Sequence, residues 1–457
     1  MSAFEALWGA AGLPPETLDR LDLRGTEPAL PSSFAVGTAA QVSIGAAALA
    51  ATELGVARNG LRQRVGVDMR AAALEATARF TIDGVAPDIW DKLAGLYQCS
   101  NGWVRLHTNF AHHRDGVLRL LGLPEGEQTE RDAVAKALKA WDALPFEAAA
   151  TDAGLVVAAL RRFDEWDAHP QAAALAAQQL VAIERIGDAA PLVLPQLAQD
   201  ARPLSGIRVL ELTRILAGPF CGRLLASLGA DVLLVNSPKL PNIEAIAETS
   251  RGKLSALCDL TTPGGRDTLR ATLAEANVFI QGYRPGALAS FGFGPEAVAA
   301  LRPGIVMVSL SAYGESGPWA GKRGFDSLVQ TATGFNHAEG EAARGAQPRA
   351  LPIQILDMAS GALMAFGAAA ALCRQKREGG SWHVRVSLAR TGQWLRELGR
   401  IANGLEGPAA DFADVMQTSV SGWGSLSAVR PAALLSHTPA GYARPSMPPG
   451  SHPLAWP

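Results

Sequence analysis

The chain is poor in several features that would each have narrowed its function. It has only four cysteines in 457 residues, Cys99, Cys221, Cys258 and Cys373, and they are widely scattered. No CxxC or Cys/His spacing marks a metal site or a redox pair, and a reducing, cytoplasmic setting is expected. Only 18% of residues are charged and the formal net charge is −2. That balance gives no electrostatic reason for a nucleic-acid or anionic-membrane partner. The longest apolar run, around Gly361 to Cys373, is about a dozen residues, short of the ~20 that a membrane span needs. The N-terminal stretch "MSAFEALWGAAGLPPETLDRLDL" has acids where a secretory leader carries Lys or Arg. No G-x-G-x-x-G follows a strand: the turn "LAGPFCG" is not a dinucleotide fingerprint, and Asn236 stands where an acid would hold a ribose.

What remains is a soluble-type composition, 48% hydrophobic, with 47 glycines and 29 prolines that imply many turns. The chain divides by pattern. Residues 1–33 form a helical, proline-containing lead-in, and residues 34–92 a helix–strand–helix block with a turn at Asn59-Gly60. Residues 93–200 form a small α/β unit. It opens on "GLYQCSNGWVRLHT", which alternates like a hairpin with its turn near Asn101-Gly102. Residues 201–400 form a larger α/β unit. It begins strand–turn–helix–strand with "GIRVLELTRILAGPFCGRLLASLGADVLLVN" and continues in unbroken Val/Ile/Leu strands such as "ANVFIQGY" and "GIVMVSL". Such runs indicate a parallel sheet covered on both faces, and so a doubly wound, mostly parallel Rossmann-like domain. Residues 401–457 are rich in Pro, Ser and Gly, and are expected to wrap the surface or stay mobile.

One stretch stands apart. "LPIQILDMASGALMAFGAAAAL", Leu351 to Leu372, carries a single charge, Asp357. On its own this residue reads either as a helix N-cap or as a reactive carboxylate. The stretch also has an echo. "AAQVSIGAAALAATEL" shares its plan, and aligning Gly45 with Gly361 sets uncharged Gln41 against Asp357.

Four blocks, taken in order, resemble the family III CoA-transferases (the CaiB/BaiF family): "GIRVLELTRILAGPFCGRLLASLGADVLLV", "RGKLSALCDLTTPGGRDTL", the long segment from "ANVFIQGYRPG" to "RGFDSLVQTATG", and "LPIQILDMASG". The resemblance runs over roughly residues 203–395. Residues 34–200 resemble the later part of the same family, placed here before the large domain, so the chain resembles a circularly permuted member.

The resemblance implies an enzyme that moves CoA from an acyl-CoA to a free carboxylic acid, with Asp357 as nucleophile and anhydride and aspartyl-CoA thioester intermediates. An Asp at a helix start is expected to stay ionised there. The resemblance further implies CoA contacts at Arg214, Ala217, Gly218, Lys253, Gly282, Tyr283, Arg284, Ser311 and Tyr313. CoA and acyl-CoA are substrates rather than a resident cofactor, no metal is implied, and the assembly is a homodimer, possibly interlocked. Departures exist at Asn236, Gly282 and Leu254. Racemases of the family carry His in the block that reads "RGFD" here, and Phe325 cannot move a proton. An acyl-CoA racemase, and a catalytically silent CoA-binding partner subunit, are the rival readings. His337 reads as a loop residue, and His112-His113 as a surface or domain contact rather than a metal site.

Overall fold

The computed structural model describes residues 3–457. Seven strands form the main sheet: β1 (Ala182–Gly187), β2 (Arg208–Leu212), β3 (Asp231–Asn236), β4 (Lys253–Leu257), β5 (Val278–Gln281), β6 (Val306–Ser311) and β7 (Ser381–Ser387). Their order across the sheet is β4-β3-β2-β5-β6-β7-β1. All neighbours are parallel except the edge pair β7/β1. Strand order reverses between β2 and β5, which lie side by side with Leu212 opposite Gln281. In a doubly wound sheet that reversal opens a crevice at the carboxyl ends of the strands. β1 lies inside the segment expected to belong to the small unit. Its antiparallel pairing with β7 assigns it to the large sheet instead, so the small unit ends earlier than residue 200.

The small unit is built on the expected hairpin, Gly95–Gln98 against Trp103–Leu106, joined by Val157–Ala159. Cys99 N–H donates to the Gly102 carbonyl at 2.8 Å and closes its turn. The tail wraps. Met416–Ser421 and Gly424–Val429 form a hairpin that pairs with Phe80–Ile82, and Ala433–Leu435 adds to Val65–Asp68. Further on, the His452 ring accepts from Ser255 N–H, and the Trp456 indole donates to the Thr272 carbonyl.

Two helices of 24 residues each, α1 (Val36–Asn59) and, later in the chain, one spanning Ile355–Glu378, pack along one another. Both are long and apolar enough to cross a membrane, although the longest unbroken apolar run is only about a dozen residues. In the fold their apolar windows are 89% and 100% buried. A helix that is apolar all round is a core helix when other elements surround it. Each ends at a glycine with positive φ, Gly60 at 75° and Gly379 at 69°, and each is followed by a strand and a helix. The echo in sequence is therefore an echo in fold.

Small residues let these helices approach their neighbours. A Cβ on Gly361 would stand 2.3 Å from the carbonyl oxygen of Ala217, whereas one on Gly45 would meet nothing nearer than 3.4 Å. Gly361→Ala is therefore expected to destabilise the protein by about 2 kcal/mol, because a backbone must move. Gly45→Ala is expected to be neutral or to stabilise by about 0.5 kcal/mol through helix propensity. Urea denaturation of both variants compares them directly, and equal midpoints would contradict the packing described.

Candidate active site

The turn after β2 is compressed between two helix starts. Helix α2 is Ala111–Leu120 of the small unit, α3 is Ala217–Ser227, and α4 is Ile355–Glu378. A Cβ on Gly218 would stand 2.4 Å from the Thr213 side chain, so only glycine lets α3 begin this close to the end of β2. Ile215 in this turn has φ +77°, a left-handed conformation that a β-branched residue adopts at a cost of about 1–3 kcal/mol. Strain of this kind persists where surrounding structure enforces it. Here it turns Ile215 and Leu216 into the wall of a cleft.

Asp357 lines that cleft, as the third residue of α4 rather than its N-cap, which is Gln354. The cap expectation fails because the backbone is already helical at Ile355. Asp357 N–H is met from outside its helix: Asp326 Oδ2 accepts it at 2.9 Å. Asp326 also accepts from the Gln330 amide. Both acids are buried, Asp357 with 7% and Asp326 with 1% of its surface exposed. The expectation of an ionised Asp357 is therefore corrected. Burial raises its carboxyl well above the ordinary range, and the neighbouring Asp326 raises it further. Burial likewise pushes Asp326 up to about 7, against the opposing pull of its hydrogen-bond donors.

The cleft holds about 180 Å³ of space. Its remaining walls come from three parts of the chain: Ala76, Thr77, Ala78, Phe80 and Trp90 of the N-terminal block, His107 and Asn109 of the small unit, and Ile243, Phe325, Ile353 and Met358 of the large one. His107 lies flat on Phe325, with ring centroids 3.9 Å apart and 13° between planes. Burial lowers its pKa to about 3, so the imidazole is neutral. Asp326 and His107 were not singled out in the sequence. Asp326 stands beside Phe325 in "RGFD", and its own block was the available signal. Nothing in the sequence placed His107 here.

The residues expected to hold CoA divide into two groups. Arg214, Ala217, Gly218, Gly282, Tyr283 and Arg284 gather at the switch point. Arg214 and Ala217 follow β2, Gly282 and Tyr283 follow β5, and a Cβ on Gly282 would lie 3.6 Å from Thr213. Arg214 and Tyr283 interact electrostatically, and Arg284 is exposed. The other three are engaged elsewhere. Lys253 is fully buried, its ammonium 2.7 Å from Glu211 and donating to the Pro219 carbonyl, and so it secures the β2–α3 turn from behind. Tyr313 has 1% of its surface exposed and packs edge-on to Trp319, so it presents no face to an adenine. Ser311 Oγ accepts from Gly314 N–H and closes its own turn. His337 lies outside the cleft, 3.3 Å from Glu341.

Residues 204–408 match the description of the CoA-transferase family III. An "Acyl-CoA transferase" of Gibberella moniliformis is 31% identical over 370 residues, covering 71% of this chain and 64% of that protein. A "Succinate--glutarate CoA-transferase" of Agrobacterium fabrum is 34% identical over 205 residues, covering 41% of this chain and 51% of that one. The crystal structure of a CaiB/BaiF family protein from Brucella suis is 28% identical, with a TM-score of 0.40, covering 49% of this chain and 65% of that chain. The chain thus spans between about half and just under two thirds of these relatives' length.

The raised carboxyls have a consequence for stability. A buried acid whose folded pKa lies above its unfolded value binds more protons in the folded state. Stability then falls as pH rises from the unfolded value, about 4, through the folded one. For Asp326 that window closes at about 7. Asp326→Asn keeps an acceptor for Asp357 N–H and removes the titration. It is expected to flatten the loss of stability between those values, read as urea midpoints across a pH series. A wild-type midpoint that climbs through the same window would contradict the buried pair.

Proposed function

This chain belongs to the CoA-transferase family III, and on that premise we propose that it moves CoA from an acyl-CoA thioester to a free carboxylic acid, with Asp357 as the covalent nucleophile. The observation that carries the proposal is the position of Asp357. It is a buried carboxyl lining a mostly apolar cleft, beside a second acid, within the residues that match the family.

The chemistry follows from that pairing. Asp326 is the partner that has hydrogen-bond donors, the Asp357 amide and the Gln330 side chain, so negative charge is favoured there at rest. The proton held by the pair passes from Asp357 to Asp326 as the thioester arrives. The Asp357 carboxylate then attacks the thioester carbonyl, and the C–S bond breaks to give a mixed anhydride and CoA thiolate. The thiolate attacks the Asp357 acyl carbon, releasing the donor acid and leaving an aspartyl-CoA thioester. The acceptor carboxylate attacks that thioester to form a second anhydride. The returning thiolate then attacks the acceptor's carbonyl, yields the new acyl-CoA and restores the Asp357 carboxylate. Ile89, Trp90, Phe325 and Met358 line the cleft and suit an apolar acyl group.

The helix–strand–helix plan present at both ends of the fold supports reading the chain as a circularly permuted member. The resemblance implies a homodimer, possibly interlocked.

A second reading has one observation in its favour. Phe325 removes the base that a racemase would carry, yet the His107 imidazole lies against Phe325 inside the cleft. Its low pKa, about 3, makes it a poor proton acceptor. Asp357→Asn separates the readings. Transfer of CoA from an acyl-CoA to a supplied acid is expected to fall by about a thousandfold or more in kcat, with CoA affinity little changed. Retained transfer in the variant would end the covalent role. Solvent deuterium entering the α-carbon without any acceptor would favour proton exchange instead.

A further inference from the structure

Resting on the CoA-transferase reading, we propose that Arg105 of the small unit is a receptor for the acid that accepts CoA, and that it selects dicarboxylic acids by holding their far carboxylate. Among the described residues five arginines are buried: Arg58, Arg105, Arg161, Arg223 and Arg251. The fold matches four of them. Arg58 donates to the carbonyls of Pro195 and Pro203, Arg161 pairs with Glu147, Arg223 with Glu75 and Glu248, and Arg251 with Glu248. Arg105 is the exception. It is 8% exposed, it has no hydrogen bond or ion pair among the described residues, and its Nε is shut off from solvent without a partner. A guanidinium presents a fork of N–H donors. Leaving that fork unmet in a buried place costs stability unless a ligand meets it.

Three parts of the chain meet around this side chain. Arg105 lies on the strand Trp103–Leu106, which packs against the helix Asp326–Ala332 of the large unit. Side chains two apart along an extended chain share a face. Arg105 is therefore on the face that carries His107, just past the strand's end, into the cleft and onto Phe325. From the N-terminal block comes the Trp90 ring, itself a wall of the cleft. Its centroid lies 5.5 Å from the Arg105 guanidinium, and it meets His107 edge-on. An aromatic face attracts a cation without occupying its N–H groups. Arg105 acts electrostatically on both His107 and Asp326, yet no ion pair joins it to Asp326. Burial lowers its own pKa to about 10, so it stays charged at neutral pH.

The place of this cation sets the kind of acid. Among the described residues no lysine or arginine lines the cleft, whereas two carboxyls do, so an incoming anion needs a cation nearby. Transfer requires the reacting carboxylate at Asp357. The charged group that acts on Asp357 is Asp326, and Arg105 acts on Asp326 rather than on Asp357. Arg105 is thus set off from the reacting carbon, on the Asp326 side. The one carboxylate of a monocarboxylic acid goes to Asp357 and leaves Arg105 unmet. A dicarboxylic acid meets both, with Trp90 and Phe325 beside its methylene chain. In the reaction proposed above the proton moves onto Asp326. That step removes the negative charge that Arg105 faces at rest and leaves the guanidinium to the substrate.

Paired acceptor acids test this on the full chain. Short straight-chain dicarboxylic acids are each set against the monocarboxylic acid of the same length, with CoA supplied from an acyl-CoA that the wild-type protein uses. The readout is the ratio of kcat/KM within each pair, in which any change common to both acids cancels. Wild-type protein is expected to favour the dicarboxylic member by about tenfold or more. Arg105→Gln is expected to abolish that preference, and Arg105→Lys to retain part of it. No preference in the wild type would overturn the site. So would a loss in Arg105→Gln shared equally by both acids, the sign of an effect through Asp326 alone. Should Arg105→Gln fail to fold, the wild-type ratio and Arg105→Lys decide. If no pairing of acyl-CoA and acid exchanges CoA, the transferase reading falls. Calorimetry with the dicarboxylic acids then decides alone: binding lost in Arg105→Gln upholds the site, and no binding, or equal binding in the variant, removes it.

Discussion

The hydrogen bond from Asp357 N–H to Asp326 Oδ2 sets the terms for everything around it. It ties the first turn of the long core helix to a separate helix and brings a second carboxyl against the first inside a region with little solvent. Two acids placed this way cannot both be charged cheaply. The protein meets that cost by giving one of them, Asp326, the donors, and both acids line the cleft. In the proposed reaction, burial keeps the Asp357 carboxyl hard to ionise until substrate arrives, and Asp326 offers its proton a nearby place to go.

Close packing of small residues makes this arrangement possible. Gly218 lets α3 start against Thr213, and Gly361 lets α4 pass against the Ala217 carbonyl. Behind them the fully buried Lys253–Glu211 pair secures the turn, with Glu211 also accepting from Thr213 Oγ1. A buried pair of this kind is a poor source of net stability but is costly to break from one side, so it fixes the turn's position. The strain at Ile215 is held by these same contacts. A second buried network, Arg223 with Glu75, Glu248 and Tyr442, ties the N-terminal block and the tail to α3 and so holds the far wall of the cleft.

Much of the fold was legible because it follows from periodicity. The unbroken aliphatic runs gave parallel strands, Asn101-Gly102 gave the hairpin turn, and the echo between Gly45 and Gly361 reappears as two core helices. Gln41, at the place matching Asp357, donates to the carbonyls of Arg24 and Val67 and so has a structural role where its counterpart faces a cleft. What local pattern does not encode is long-range partnership. Charge and residue type marked Lys253 and Tyr313 as ligand groups, but Glu211 and Trp319, distant in sequence, claim them. The ionisation of Asp357 was misjudged for the same reason, because helix position is local and the opposing effects of burial and Asp326 are not. The edge strand Ala182–Gly187 was assigned to the small unit because its partner lies nearly 200 residues further along.

The proposed transfer depends on Asp357 alone forming the covalent link, with Asp326 managing its proton. The most direct measurement is a single turnover with an acyl-CoA, quenched with hydroxylamine and followed by peptide mass spectrometry. A hydroxamate on Asp357, with Asp326 and the Gln41-containing peptide unmodified, is the predicted result. Modification of Asp326 instead, or an unmodified Asp357 while acyl-CoA is consumed, would contradict it.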